Sequence, residues 1–261
     1  MRLLRESGPL IRVGHRGAAA LAPENTLRSF DVALAHGVEA IEFDVLDLVS
    51  GPLVLAHSND LAEVSHGGAT GSVRDRSLAE LREHAPELPT LDEALSFLAE
   101  RDVVLHVDLK LTTRLDEVAG ALERHGVADR AVVSSFHLPS LRALAAHAPG
   151  VPIGFTYPED RYGVSRRRGM KPAIRLGTLA LRRAVVARIP AMLERAGASA
   201  LMLQHAVVSP AAVERAHAAG AAVWAWTVDD PEELARVAAA GVDAVISNNP
   251  RVFSAVATLS T

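Results

Sequence analysis

A closed barrel of eight parallel strands wrapped by helices, the (β/α)8 TIM barrel of the α/β class, is the fold the sequence predicts. Three observations predict it. Short apolar runs ending near Val13, Val45, Lys110, Ser135, Tyr157, Gln204, Val228 and Ser247 make eight strands. Helical patterns separate them, and Gly37, Gly126, Gly197, Gly220 and Gly241 each stand where a helix would stop before the next strand. The 261 residues contain no linker rich in Pro, Ser or charge, so a single domain over 1–261 is expected. In such a barrel, function is expected at the carboxyl ends of the strands.

The first unit begins with the apolar run 10–13, which leads into Gly14-His15-Arg16-Gly17. The two glycines let the backbone leave the strand sharply around a titratable His and a permanent cation. Asn25 is the expected N-cap of a helix whose buried stripe is Leu27, Phe30 and Leu34, with Gly37 at its end. In the second strand, alternation sends Ile41, Phe43 and Val45 to one side and Glu42 and Asp44 to the other. Two like charges that close are unfavourable in a dry interior unless a proton or a cation lies between them, and a divalent metal answers that need. An ordinary exposed pair is the alternative, and the apolar flanks argue against it.

The connection through Gly51-Pro52 is too short for a parallel crossover, so 53–57 should return as a hairpin arm, bringing His57 back towards Glu42 and Asp44. Residues 58–86 read as an insertion or lid, with His66 and His84 solvated. Thr90-Leu91-Asp92-Glu93 has the spacing of a capping box. In the next strand Val103, Leu105, Val107 and Leu109 face the helices, leaving His106, Asp108 and Lys110 inward; Asp108 and Lys110 either pair with each other or serve a site. Further on, helices are expected over 115–125 and 140–148, and after Ser209-Pro210, Asp230-Pro231 and Asn249-Pro250. Of the remaining histidines only His137, just past a strand, is placed to face the site.

Composition narrows the function. Apolar residues are 49% of the chain and aromatics 4%, so the core must be built from Ala, Val and Leu. A formal charge of -4 argues against nucleic acid as a partner. With no cysteine, disulfides and thiolate metal sites are excluded. No run is long enough to span a bilayer and residues 1–10 lack an apolar signal core, so no stable membrane insertion and a cytoplasmic location are expected. Oligomeric state is left open.

Taken together, His15-Arg16-Gly17, Pro23-Glu24-Asn25-Thr26, Ile41-Glu42-Phe43-Asp44-Val45, Leu55-Ala56-His57, Val107-Asp108-Leu109-Lys110, Ser134-Ser135-Phe136, Trp226-Thr227-Val228 and Gly241-Val242-Asp243 with Pro250 give the chain a resemblance to glycerophosphodiester phosphodiesterases. The pieces run in family order over nearly the whole chain. The resemblance implies a metal-dependent hydrolase that cleaves a small glycerophosphodiester into glycerol 3-phosphate and an alcohol. It implies His15 and His57 as general acid and base, and Glu42, Asp44 and Asp108 as ligands of Mg²⁺ or Ca²⁺. Arg16 and Lys110 would contact phosphate, and Trp226 would wall the substrate. The chemistry agrees: a hard cation with an arginine and a lysine neutralises the nonbridging oxygens, and two imidazoles can move the protons as the glycerol 2-hydroxyl or a water attacks phosphorus.

Three positions depart from the family pattern. Ser58 follows His57 where Asp is usual, Asp108 is one methylene shorter than the usual Glu, and Asn248 stands where Asp is common. Two other readings therefore stand beside the hydrolase: a metal-weakened barrel that binds phosphodiesters without turnover, and a related phosphodiesterase for lysophospholipid headgroups. Enzymes of the latter kind are typically secreted and disulfide-bonded, which the absence of cysteine opposes. The basic segment 161–188, with Arg166-Arg167-Arg168 interleaved with apolar residues, reads as a solvated helix face, or alternatively as a lid for an anionic headgroup.

Overall fold

The structure, a computed structural model, describes residues 3–5, 8–159 and 171–255. Eight strands run parallel: β1 (Ile11–Gly14), β2 (Ala40–Asp47), β4 (Val104–Leu109), β5 (Ala131–Ser135), β6 (Ile153–Tyr157), β7 (Ala200–Gln204), β8 (Ala222–Trp226) and β9 (Ala244–Ser247). Each pairs with the next, and β1 pairs with both β9 and β2, which closes the barrel. The expected fold is thus the observed one. The short β3 (Leu53–Leu55) lies antiparallel on the upper end of β2, Val45 opposite Leu55, as the hairpin expectation required.

Alternation along the strands makes two cores. Ile41, Phe43, Val45, Leu105 and Val107 pack outward against helices α1 (Leu27–Ala35), α4 (Leu91–Ala99) and α5 (Leu115–Arg124). Inside the barrel, Ala40, Ala200, Ala222 and Ala244 are small, and that leaves room for Trp224, which is fully buried among them. The remaining helices are α6 (Leu138–His147), α7 (Lys171–Ala196), α8 (Pro210–His217) and α9 (Pro231–Ala239) on the outer ring. Capping follows chemistry read from the sequence at α4, α8 and α9, where Thr90, Ser209 and Asp230 accept from first-turn amides.

Several boundaries differ from expectation. Thr26, not Asn25, caps α1, because Asn25 sits at φ 57° and its amide is committed elsewhere. Helix α6 starts at Leu138 rather than Ser140, with His137 Nδ1 as its cap, so His137 faces its own helix and not the site. After Asn249 the chain forms a 3-10 turn, Pro250–Ala255, where an α-helix was expected. Residues 58–86 fold into the one-turn α2 (Leu61–Val64) and α3 (Leu78–His84) around a small core of their own that includes Leu61, Val73 and Leu81. His66 and His84 are exposed, as expected. Arg166, Arg167 and Arg168 lie outside the described residues, while further along α7 Val185 and Ile189 are buried and Arg183 and Arg188 are exposed. Among the described residues no helix is long and apolar enough to cross a membrane.

The turn after β1 is where the backbone is most constrained. Gly17 has φ 82°, and a Cβ there would lie 2.3 Å from Ser29 Oγ and 2.6 Å from the Ser29 carbonyl carbon. Ser29 itself donates to Arg16 O at 2.8 Å, so α1 is pressed against the loop that presents His15 and Arg16. Gly17→Ala is therefore expected to cost at least about 2 kcal/mol of stability in urea denaturation; a variant as stable as the parent would show that the loop can yield.

Candidate active site

The inner faces of the strands fix the site. Register places Glu42 opposite His106 and Asp44 opposite Asp108 on β2 and β4, and Asp108 opposite Ser134 on β5. All point to the upper mouth, where a cavity of about 550 Å³ is lined by His15, Arg16, His57, Lys110 and Trp226 together with Glu42, Asp44 and Asp108. Every residue expected in the site therefore meets there. Phe136, Thr156, Met202 and Thr227 are also part of the wall. Trp226 is held by its Nε1, which donates to Met202 O at 2.9 Å, and by the Phe136 ring set edge-on at 5.8 Å.

Charge organises the floor. Asp44 is 1% exposed and meets Arg16 Nε at 3.0 Å, Lys110 Nζ at 3.0 Å and Asn25 Nδ2, which donates at 2.9 Å. The Arg16 contact is an ion pair without hydrogen-bond alignment, since that Nε has no hydrogen-bonded partner. Burial alone would raise the Asp44 carboxyl, but Lys110 and Arg16, with His57 and Asn25, hold it well below the usual range. Lys110 also donates to Asp108, whose other oxygen accepts from Ser134. Burial opposes the charge on Lys110, yet Asp108 and Asp44 raise the ammonium above its ordinary value. Arg16 is raised in the same way by Asp44 and Glu24, the latter accepting from Nη1 at 2.8 Å.

Glu42 is the odd member. Its Oε2 accepts from the Arg16 backbone at 2.7 Å, and burial together with the charges of Asp44 and Asp108 pushes its carboxyl well above the usual range, against Arg16 and Lys110. Three buried carboxyls face two cations, one cation fewer than full ionisation of all three would need. Among the described residues no three His, Asp or Glu side chains enclose an ion position as they stand, and Lys110 fills the space between Asp44 and Asp108. The donor set nevertheless fits a hard divalent cation, being all carboxylate oxygen, and the raised Glu42 carboxyl lies where added positive charge would be felt.

The two imidazoles flank this floor. His15 Nδ1 lies 2.6 Å from Asn248 Oδ1, and Asn248 Nδ2 donates to Asp229 Oδ2 at 2.6 Å. Since a carboxylate only accepts, the amide must turn its oxygen to His15, which places the proton on Nδ1 and leaves Nε2 free, 3.8 Å from Glu42. Burial first, then the charge of Arg16, pushes His15 down to about 4, so it is neutral at neutral pH. His57 turns its Nδ1 to Glu63 Oε1 at 2.7 Å.

Sequence reasoning missed Asn25 and Glu63. Asn25 is 3% exposed and grips Asp44 twice, through its side-chain amide and by accepting the Asp44 N–H at 3.0 Å. Its left-handed φ has no sequence signal beyond an Asn next to the capping Thr.

The model of the glycerophosphoryl diester phosphodiesterase family matches residues 15–252. A glycerophosphodiester phosphodiesterase of Caldanaerobacter subterraneus subsp. tengcongensis is 26% identical over 257 residues, covering 92% of this chain and 95% of that protein. Two solved structures share the fold. The glycerophosphodiester phosphodiesterase of Thermotoga maritima superposes with a TM-score of 0.73 at 24% identity, covering 96% of this chain and 100% of that one. An Oleispira antarctica phosphodiesterase, solved with the product sn-glycerol-3-phosphate, superposes with a TM-score of 0.74 at 24% identity, covering 95% and 96%. With its motifs gathered at one barrel mouth and the family match running from the loop after β1 to the turn at Pro250–Ala255, the chain belongs to the glycerophosphoryl diester phosphodiesterase family, a family of phosphoric diester hydrolases.

Proposed function

We propose that the protein hydrolyses small glycerophosphodiesters to glycerol 3-phosphate and an alcohol in a metal-dependent reaction, with His15 and His57 moving the protons. The observation that carries this reading is the convergence of two imidazoles, two cations and three carboxylates on one cavity. The product bound by the Oleispira antarctica relative supports the same substrate class.

Glu42, Asp44 and Asp108 would hold Mg²⁺ or Ca²⁺, which when bound supplies positive charge to the phosphate oxygens. Arg16 and Lys110 add theirs from the same floor, and Trp226 with Phe136 offers an apolar wall to the organic part. Each imidazole is anchored through Nδ1, so each has Nε2 left for the substrate. One, unprotonated at Nε2, takes the proton from the attacking glycerol hydroxyl or water, and the other, entering the step protonated at both nitrogens, gives its Nε2 proton to the leaving oxygen. Direct attack by water exchanges it for the alcohol at phosphorus; attack by the glycerol hydroxyl expels the alcohol and leaves a cyclic phosphate that water then opens, the imidazoles exchanging roles, so atoms and charge balance either way without a redox partner.

The test is release of glycerol 3-phosphate from glycerophosphocholine with Mg²⁺, Ca²⁺, Mn²⁺ or EDTA. Turnover should fall roughly 100-fold or more in EDTA and return with added cation. Release that ignores EDTA would remove the metal from the mechanism, and no release with any cation would favour a binding barrel.

A further inference from the structure

We infer that Glu63 is the positioning residue for His57: its carboxylate accepts the Nδ1 proton and so turns Nε2 into the phosphate cavity. The inference rests on the acid-base reading of the histidine pair and adds to it a residue from the insertion. Its starting point is an apparent gap, since the residue next to His57 is Ser58, which offers the imidazole no charge.

The structure fills that gap from another element. Glu63 Oε1 lies 2.7 Å from His57 Nδ1, and its Oε2 accepts from Ser58 Oγ at 2.5 Å. Ser58 Oγ in turn accepts from the Asp60 N–H at 3.2 Å, and Asp60 caps α2 by accepting from Ala62 N at 3.0 Å. Leu61, fully buried in the insertion's core, pins that single turn in place. Ser58 is thus a second anchor for the carboxylate. Burial would raise Glu63, but the hydrogen bonds from Ser58 and His57 hold it below its ordinary value, so it stays an acceptor.

Two features separate positioning from plain surface pairing. Glu63 is absent from the wall of the phosphate cavity while His57 is part of it, so the carboxylate reaches the chemistry through its hydrogen bond to the imidazole, and by charge alone through Arg16 at 3.8 Å. The arrangement also mirrors the other proton carrier, whose Nδ1 is engaged by Asn248. The charged groups around His57 are Glu63 on α2, Arg16 on the loop after β1, with Nη1 3.8 Å from Glu63, and Asp44 on β2. On the far side of His57 a second, smaller cavity is bordered by Glu24, His66, His84 and Glu87. Of these, only Glu63 bonds the ring directly among the described contacts.

The experiment uses the full chain with Glu63→Ala and Glu63→Gln. Glu63→Ala should lower kcat on glycerophosphocholine about 10- to 100-fold with KM changed less than about threefold. Glu63→Gln keeps an acceptor oxygen and should fall between the two, which a merely structural role would not produce. Nitrogen-15 NMR of the wild-type imidazoles, with His57 identified by its loss in His57→Ala, should show Nδ1 protonated, and Glu63→Ala should mix the tautomers. Wild-type kcat in Glu63→Ala, or an unprotonated His57 Nδ1 in the wild type, overturns the proposal. The NMR result stands apart from turnover, so a protein that hydrolyses nothing would sink the acid-base reading while the spectrum still tests Glu63.

Discussion

His15→Ala and His57→Ala are each expected to lower kcat on glycerophosphocholine about 10²- to 10⁴-fold at saturating cation, with KM little changed. The loss should be chemical and not structural. The His15 and His57 side chains are 15% and 28% exposed, and neither belongs to a hydrophobic cluster, so truncation opens no core cavity. Asn248 keeps its bonds to Asp229 when His15 is removed, and Glu63 keeps Ser58 when His57 is removed. The double variant should be scarcely worse than the weaker single one, because two groups that act in one proton circuit are not additive. Steady-state kinetics with circular dichroism as the fold check decides it: wild-type turnover in either single variant would end the assignment.

Why the barrel mouth could be foreseen in such detail follows from the period of a strand. Once Ile41, Phe43 and Val45 are assigned to the helices, Glu42 and Asp44 have no choice of face, and the same holds for Asp108 against Val107 and Leu109. Parallel closure then brings β2 and β4 into register without further information. Groups outside regular elements obey no such period. Asn25 is a local N-cap by composition, yet its amide bonds Asp44 nineteen positions away, a contact that only the closed barrel creates. Glu63 sits in an insertion with no long apolar pattern, and its partner is set by how α2 docks through its own Leu61 into the insertion's core. Asp229 works behind Asn248 through three hydrogen bonds to residues 247 and 248, again across a loop. The pairing of Asp108 with Lys110, left open by the sequence, is present, and it coexists with the site instead of replacing it.

Asp44 is where stability and activity meet, and Asp44→Ala is expected to lose both. The carboxylate is almost wholly buried and answers two cations, so its removal leaves Arg16 and Lys110 sharing Glu24, Glu42 and Asp108. Breaking one side of a buried ionic group of this kind costs about 3–5 kcal/mol. Glu42 offsets part of that cost, because the Asp44 charge is one reason its carboxyl is raised, and losing it lets Glu42 ionise. Urea denaturation of Asp44→Ala and Asp44→Asn, each with and without Lys110→Met, separates the terms. Lys110→Met should restore neither stability nor turnover to Asp44→Asn, since with Glu42 ionised the two remaining carboxylates already match the two cations. Ca²⁺ or Mg²⁺ should raise the melting temperature of the wild type, as any ligand of the folded state does, and leave that of Asp44→Asn unmoved. If Asp44→Asn still gained stability from the cation, the ion would be bound elsewhere, and the three carboxylates would be a counter-charge for Arg16 and Lys110 alone.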